Sequence, residues 1–294
     1  MERLHSHMLN IGLAAELTGN VTAFLQMFKI REIAMELAQY MTGGRKTYGM
    51  IMVGGVRRDI TARERKIMLD LVKKIETQFK ECWEAVLDAP NLVSRWKHAG
   101  VLDPQVARDF SVVGPNARGC GIRRDSRYDH AFDWYKKVEF EVPVESGGDV
   151  LSRETVRARE LFQATSIIRQ TLELMPEGPL INKEAFVKPY AFAIGNDEAP
   201  RGSNIHFTMH GTSQKVFRWR VRAATYNNWP SLQFQLRGNS ISDAPLIVCS
   251  LDPCYSCTER ITVVNVKSGR SKVIDKEQLK NYAKTLKDSP IKEL

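Results

Sequence analysis

Apolar residues recur at helical spacing along most of this chain and alternate in only two places. Ile67, Met68, Leu71, Val72, Ile75, Phe79, Trp83 and Val86 fall on one stripe, opened by Thr61-Ala62-Arg63-Glu64 and closed by Pro90. The threonine hydroxyl and the glutamate three positions on can each satisfy a free backbone N–H, so this is a capping box. Residues 1–19 predict an apolar helix with Leu4, Met8, Ile11 and Leu13, opened without a capping residue and broken at Thr18-Gly19-Asn20. A second helix carries Phe24, Met27, Phe28, Ile33, Leu37 and Met41 and ends at Gly43-Gly44, because glycine takes the left-handed conformation beyond a helix end. Asp103-Pro104 opens a short helix. Ser152 is expected to cap a long one that runs to about Met175, with Val156, Leu161, Ala164, Ile168 and Leu172 inward. Alternation is weak from Val138 to Val144 and clear where Ile205, Phe207 and Met209 face Phe217, Trp219 and Val221 across Gly211-Thr212. The latter predicts a hairpin with one buried face and with His206 and His210 on its polar side. A short helix after Pro230 and an apolar run over residues 244–251 follow. The expected class is mainly α, with a minor antiparallel β part near residues 203–225.

Composition changes this picture little. The 294 residues carry 43% apolar and 26% charged side chains, as a folded protein with a sizeable core does. No run of 18 apolar residues suggests a membrane span. The start lacks a basic stretch leading to an apolar core, so no secretion signal is expected. Five cysteines, an odd count, then read as reduced thiols of a cytoplasmic chain. The net charge of +9 is concentrated: residues 261–294 alone hold eight Lys or Arg against four acids. No basic stretch is interleaved with aromatics, so nucleic acid is not an expected partner.

Candidate chemistry is sparse until the end. His5 and His7 are two apart and point in different directions on a helix, which predicts locally bonded histidines and not a ligand pair. Glycines at 49, 54 and 55 imply a close backbone approach in residues 48–59, while Arg57-Arg58-Asp59 reads as a solvated turn or a contact to a partner subunit. Residues 123–130 form a charged, turn-rich stretch. Cys82 and Cys120 read as structural, the first on a helix stripe and the second between two glycines. Cys254 and Cys257 are different: two thiols three positions apart, behind Asp252-Pro253, can face one centre from a single turn. A soft-metal site, half a zinc site, a redox dithiol and a structural pair all fit that spacing. No second CxxC and no spaced histidine pair accompanies it, and nothing resembling a βαβ unit surrounds it.

Asp252-Pro253-Cys254-Tyr255-Ser256-Cys257 resembles the C-terminal metal motif of nickel–iron hydrogenase large subunits. Glu2-Arg3-Leu4-His5-Ser6-His7, Gly43-Gly44-Arg45-Lys46-Thr47-Tyr48-Gly49, Gly54-Gly55-Val56-Arg57-Arg58-Asp59, Ala199-Pro200-Arg201-Gly202 and Asp243-Ala244-Pro245 extend the likeness over the chain. The type is the group 4, membrane-bound one of formate hydrogenlyase and hydrogenase-4, related in turn to the quinone-site subunit of complex I. The resemblance implies a helical bundle and a nickel–iron centre whose iron carries CO and cyanide. Cys254 would be a terminal nickel thiolate and Cys257 a bridging one. Arg201 would lie over the diatomic ligands, Thr225 would bond a cyanide, and Asp252 would stand behind the metals. Two further cysteines are needed from outside this chain, so residues 1–260 read as a core lacking its N-terminal part, inactive alone. Residues 261–294 read as a basic extension removed at the Arg260–Ile261 bond. The implied partners are an iron–sulfur small subunit, other subunits of the membrane-bound complex, a maturation protease and nickel-insertion proteins. The implied location is cytoplasmic, peripheral on the inner face of the plasma membrane. The rival from the same ancestry is a quinone-site subunit, whose quinone tyrosine falls near Met50 here. A non-catalytic assembly fragment is the rival from another class.

Overall fold

The structure, a computed structural model, describes residues 1–46, 48–182, 187–212, 215–258, 261–264 and 268–274, and a few positions between 277 and 284. Its frame is four helices: α1 (Glu2–Leu17), α2 (Val21–Thr42), α3 (Ala62–Leu87) and α8 (Val150–Leu174). Each of α1 and α3 packs on both α2 and α8. Between α2 and α3 lies a two-stranded ribbon of β1 (Ile51–Met52) and β2 (Gly55–Val56). The short helices α4 (Pro90–Trp96), α5 (Pro104–Asp109), α6 (Pro115–Arg118) and α7 (Ser126–Asp129) lead to α8. After α8 come β3 (Phe192–Ala199), β4 (Gly202–His210) and β5 (Val216–Arg222), then α9 (Ala224–Asn228), α10 (Leu232–Leu236) and α11 (Ala244–Leu251). The fold is mainly α with a small antiparallel part, as expected.

The helices form for the reasons their sequences state. Thr61 Oγ1 accepts from Glu64 N while Glu64 accepts from Thr61 N, completing the box, and Met68, Val72, Ile75, Phe79, Trp83 and Val86 are buried. Burial of each such side chain contributes about 1.5–3 kcal/mol before entropy. Asn20 caps α2 by accepting from Ala23 N, and Gly43 ends it in the left-handed conformation. The core of the bundle is one continuous cluster from Leu4 on α1 to Ile247 on α11. Asp149, not Ser152, caps α8, accepting from the Ser152 N–H and hydroxyl.

Two further expectations change, and one segment gains an element. Residues 138–144 form no strand, because no neighbouring strand among the described residues pairs with them. Their backbone bonds to α8 instead: Glu141 N donates to Gln163 Oε1 at 2.9 Å and Glu139 N to Gln170 Oε1 at 2.8 Å. The hairpin is the outer two-thirds of a three-stranded sheet ordered β3-β4-β5. The expected single apolar face does not form: Ile205, Phe207 and Met209 stand opposite Arg222, Arg220 and Arg218, while His206 and Thr208 stand opposite Val221 and Trp219, and Phe217 and Trp219 are each at least 60% exposed. The apolar run over residues 244–251 is a helix, α11.

The glycines of the β1–β2 ribbon do admit a close approach. A Cβ on Gly55, whose φ is +158°, would stand 2.0 Å from the Leu180 carbonyl oxygen. The chain divides into two compact units, Met1–Asp252 and Pro253–Leu294. In the second, β6 (Ile261–Val264) and β7 (Ser271–Ile274) pair antiparallel.

Candidate metal-supporting site

The last turn of α11 ends two residues before Cys254. A helix end leaves carbonyls without intrahelical partners, and here each of four successive ones receives a donor from a different element. Asn10 Nδ2 on α1 donates to Cys249 O at 2.8 Å, and Arg157 Nη2 on α8 to Ser250 O at 2.5 Å. Asn116 Nδ2 on α6 donates to Leu251 O at 3.1 Å, and Arg201 Nε to Asp252 O at 2.8 Å. Asp252 closes the helix in the left-handed conformation at φ 56° and ψ 59°. For a residue with a Cβ this costs of order 1–2 kcal/mol. Arg201 offsets it by holding both the carbonyl and, at 2.7 Å, the Asp252 carboxylate. Burial nevertheless raises the Asp252 carboxyl above its ordinary range, against the pull of Arg201 and Arg157.

Arg201 reaches this point from the turn between β3 and β4. Gly114 and Gly202 let that turn lie backbone to backbone on α6. With φ of +70°, a Cβ on Gly114 would stand 2.1 Å from Arg201 O, and one on Gly202 would stand 2.6 Å from Gly114 N. Asn228 on α9 ties the two together, accepting from Val113 N at 2.9 Å and donating to Arg201 O at 3.4 Å. Thr225 is buried on the same helix. Arg201, Asp252 and the helix of Thr225 therefore belong to one construction.

Beside it is a buried charge network that sequence reasoning missed. Glu160 on α8 is fully buried and accepts from Arg118 Nε at 2.7 Å, His7 Nε2 at 2.9 Å and Arg3 Nη1. Arg118 also reaches Glu198 Oε1 at 2.9 Å and Arg124 O at 2.7 Å. Burial pushes the Glu160 carboxyl up, but Arg118 and Arg3 with the His7 hydrogen bond hold it well below the carboxylate range. Burial holds His7 down at about 3, so its neutral ring donates Nε2–H to Glu160. His7 is thus bonded across the fold and not locally, because its face of α1 meets α8. Residues 125–127, expected in a charged loop, are buried: Asp125 accepts two bonds from the Arg127 guanidinium, at 3.0 and 2.7 Å. The available signal was the spacing of Arg153, Arg157 and Glu160, which share a helical stripe with Ala164. A second buried acid, Glu154, accepts from Arg157 Nη1 at 2.8 Å, and burial raises its carboxyl to about 7 despite Arg157 and Arg153.

Burial raises the thiols of Cys82 and Cys120 to about 11 and that of Cys249 to about 12. Cys120 Sγ donates to Asn116 O at 3.0 Å. All three are structural thiols. Cys254 and Cys257 are half-buried, and Cys257 Sγ donates to Cys254 Sγ at 2.7 Å. The pair is brought together as the spacing predicts. Among the described residues no group of three or more His, Cys, Asp or Glu side chains could hold a metal ion. The residues present therefore fit half of a four-thiolate donor set and not the whole nickel–iron group. Arg260 lies outside the described residues, and Ile261 begins β6.

The family pattern described as "Respiratory-chain NADH dehydrogenase, 49 Kd subunit" matches residues 18–191 and 181–260. The chain belongs to this family. Within it, the chain is 47% identical over 292 residues to formate hydrogenlyase subunit 5 of Escherichia coli (strain K12), which covers 99% of this chain and 51% of that protein. It is 43% identical over 292 residues to hydrogenase-4 component G of the same organism, covering 99% of this chain and 50% of that protein. It is 33% identical over 253 residues to an NADH-quinone oxidoreductase subunit of Syntrophobacter fumaroxidans, covering 85% of this chain and 68% of that protein. The resemblance to the large subunits of group 4 hydrogenases is borne out along nearly all of this family member, which spans about half the length of the first two relatives. The three relatives are named as subunits or components of formate hydrogenlyase, hydrogenase-4 and NADH-quinone oxidoreductase. No helix among this chain's described residues is long and apolar enough to cross a membrane.

Proposed function

We propose that this chain is the C-terminal part of the catalytic subunit of a group 4 nickel–iron hydrogenase, acting in proton reduction or H2 oxidation coupled to formate oxidation. Cys254 and Cys257 supply two of the four thiolates, and the other pair comes from a separate or preceding polypeptide. The metal pair, once assembled, would supply H2 cleavage. This chain's own residues hold and orient. Arg201 carries a fixed cation against Asp252, and Thr225 offers a hydroxyl from α9. An iron–sulfur subunit takes the electrons, the assembly sits peripherally on a membrane through other subunits, and nickel-insertion proteins load it. The extension after Arg260 is removed by a maturation protease.

The observation that carries this reading is the double hold of Arg201 on Asp252, two residues before the first thiol. A CxxC serving only as a structural or redox pair has no need of a buried-turn guanidinium fixed at that point. The test is co-expression with the N-terminal half of a hydrogenase-type relative and the nickel-insertion proteins. H2-dependent dye reduction is expected with the wild-type chain and lost with Cys254→Ser. Equal activity in Cys254→Ser would overturn the assignment.

A second reading has one observation in its favour. A cavity of about 890 Å³ lies in the first unit, lined by Tyr48, Met50, Ile51, Arg127, Tyr135 and Ile168 among others. Its mixture of apolar wall and phenol or guanidinium donors suits a quinone headgroup. Saturable quenching of intrinsic fluorescence by a short-chain quinone, abolished in Tyr48→Phe and Arg127→Met, would favour a quinone-site role. Absence of quenching would remove it.

A further inference from the structure

We propose that Asn10, Asn116 and Arg157 are positioning residues for the thiol-bearing motif: they hold the last turn of α11 and so fix the backbone from which Pro253-Cys254 departs. Each is at most 3% exposed, and each donates to a different one of the consecutive carbonyls of Cys249, Ser250 and Leu251. They come from α1, α8 and α6, so three elements far apart in sequence converge on one helix end.

The chemistry argues for positioning beyond simple cap satisfaction. An end of this kind is commonly closed by backbone alone, through a glycine in the left-handed conformation and two backbone bonds. Here the left-handed residue is Asp252, and its N–H makes one such bond, to Cys249 O at 2.8 Å. Asn10 adds a second donor to the Cys249 carbonyl, and those of Ser250 and Leu251 are met by a guanidinium and an amide, all three side chains taken out of water. Burying such groups is costly, and the cost is only partly offset, because Asn10 Oδ1, Asn116 Oδ1 and Arg157 Nε have no partner of their own among the described residues. A second layer holds the donors themselves. Glu154 accepts from Arg157, and Arg153 Nε donates to Ser250 Oγ at 3.0 Å, whose hydroxyl in turn donates to Ile247 O at 2.7 Å. Loosening Arg157 or Asn116 frees one carbonyl of a turn that four side chains otherwise hold, and loosening Asn10 leaves Cys249 O with the Asp252 N–H alone. The consequence is a local opening at residues 249–252 with the four-helix core intact.

The inference rests on the reading of Cys254 and Cys257 as thiolate ligands, and its test has an arm that does not. Hydrogen–deuterium exchange of the full chain is followed in a peptide covering residues 249–258 and in one from α3. Asn116→Leu, which keeps volume and removes the donor, is expected to raise exchange in the first peptide about tenfold and leave the second unchanged. Arg157→Lys, which keeps one donor, is expected to fall between wild type and Arg157→Met. In the assembly co-expressed with the missing half, Asn10→Leu and Asn116→Leu are expected to lower nickel per chain at least threefold. Unchanged exchange over residues 249–258, or an equal rise in α3, overturns the positioning role. If the wild-type assembly takes up no nickel, the ligand reading fails and the exchange arm alone decides the positioning.

Discussion

Replacing Arg118 by methionine is the sharpest probe of the buried charge network. The guanidinium is fully buried and faces Glu160, Glu198 and, at 3.6 Å, Asp125. Three cations, Arg3, Arg118 and Arg127, balance these three carboxylates. Methionine approximates the volume but removes the charge and leaves a net negative charge in the interior. Stranding one partner of a buried pair costs about 3–5 kcal/mol, a large share of the roughly 5–15 kcal/mol that holds a domain together. Glu160 keeps Arg3 and His7, so the deficit falls mainly on Glu198, which retains the Ser126 N–H at 3.0 Å. Urea unfolding followed by far-UV circular dichroism measures the deficit. Arg118→Met with Glu198→Gln restores neutrality and should recover part of the loss. A deficit below about 1 kcal/mol at pH 7, or no recovery in the double variant, would refute the account of these charges as a mutually dependent set.

Other outcomes follow from single contacts. Glu154 has its carboxyl raised by burial to about 7 in the folded chain, against 4.5 when unfolded. Its contribution is thus fully present below about pH 4.5 and lost as pH rises through 7. His7, held down at about 3 when folded, gives the opposite slope over lower pH. The difference in unfolding free energy between Glu154→Gln and wild type isolates the first: the variant should gain relative stability between pH 5 and 8, by up to about 3 kcal/mol. A flat difference would contradict it. Thr61→Ala should lower unfolding free energy by about 1 kcal/mol through loss of the α3 box. Gly114→Ala places a Cβ against the Arg201 carbonyl and should destabilise by well over 1 kcal/mol. Activity of the assembled enzyme should fall further than stability explains, because Arg201 moves with the turn.

Much of this architecture was legible in periodicity. The capping box of α3, the glycine end of α2 and the proline start of α5 act through neighbouring residues, and such signals survive in one dimension; Pro90, expected only to close α3, also opens α4. The errors have a common physical origin in long-range contact. Glutamines of α8 take the place of a pairing strand along residues 138–144, and β3 passes unnoticed because Phe192-Ala193-Ile194-Gly195 carries too little alternation to stand out from the loop before it. The charges of α8 looked solvent-facing by type, yet Arg153, Arg157 and Glu160 lie on the helix face that meets α1, α6 and α11. At the site, the Asp-Pro-Cys motif marked Cys254, Cys257 and Asp252, and the Pro-Arg-Gly turn marked Arg201. Asn10 and Asn116 left no such mark: a single asparagine in a helical pattern carries no hint that it donates to a carbonyl more than a hundred residues away.

The most direct measurement is nickel per polypeptide after purification with the insertion proteins present, for the full chain alone and for the chain co-expressed with a polypeptide bearing the second thiol pair. The account predicts a negligible content in the first case and about one nickel per chain in the second, lost again in Cys257→Ser. One tightly held nickel in the chain by itself, or none in the assembled pair, would contradict it.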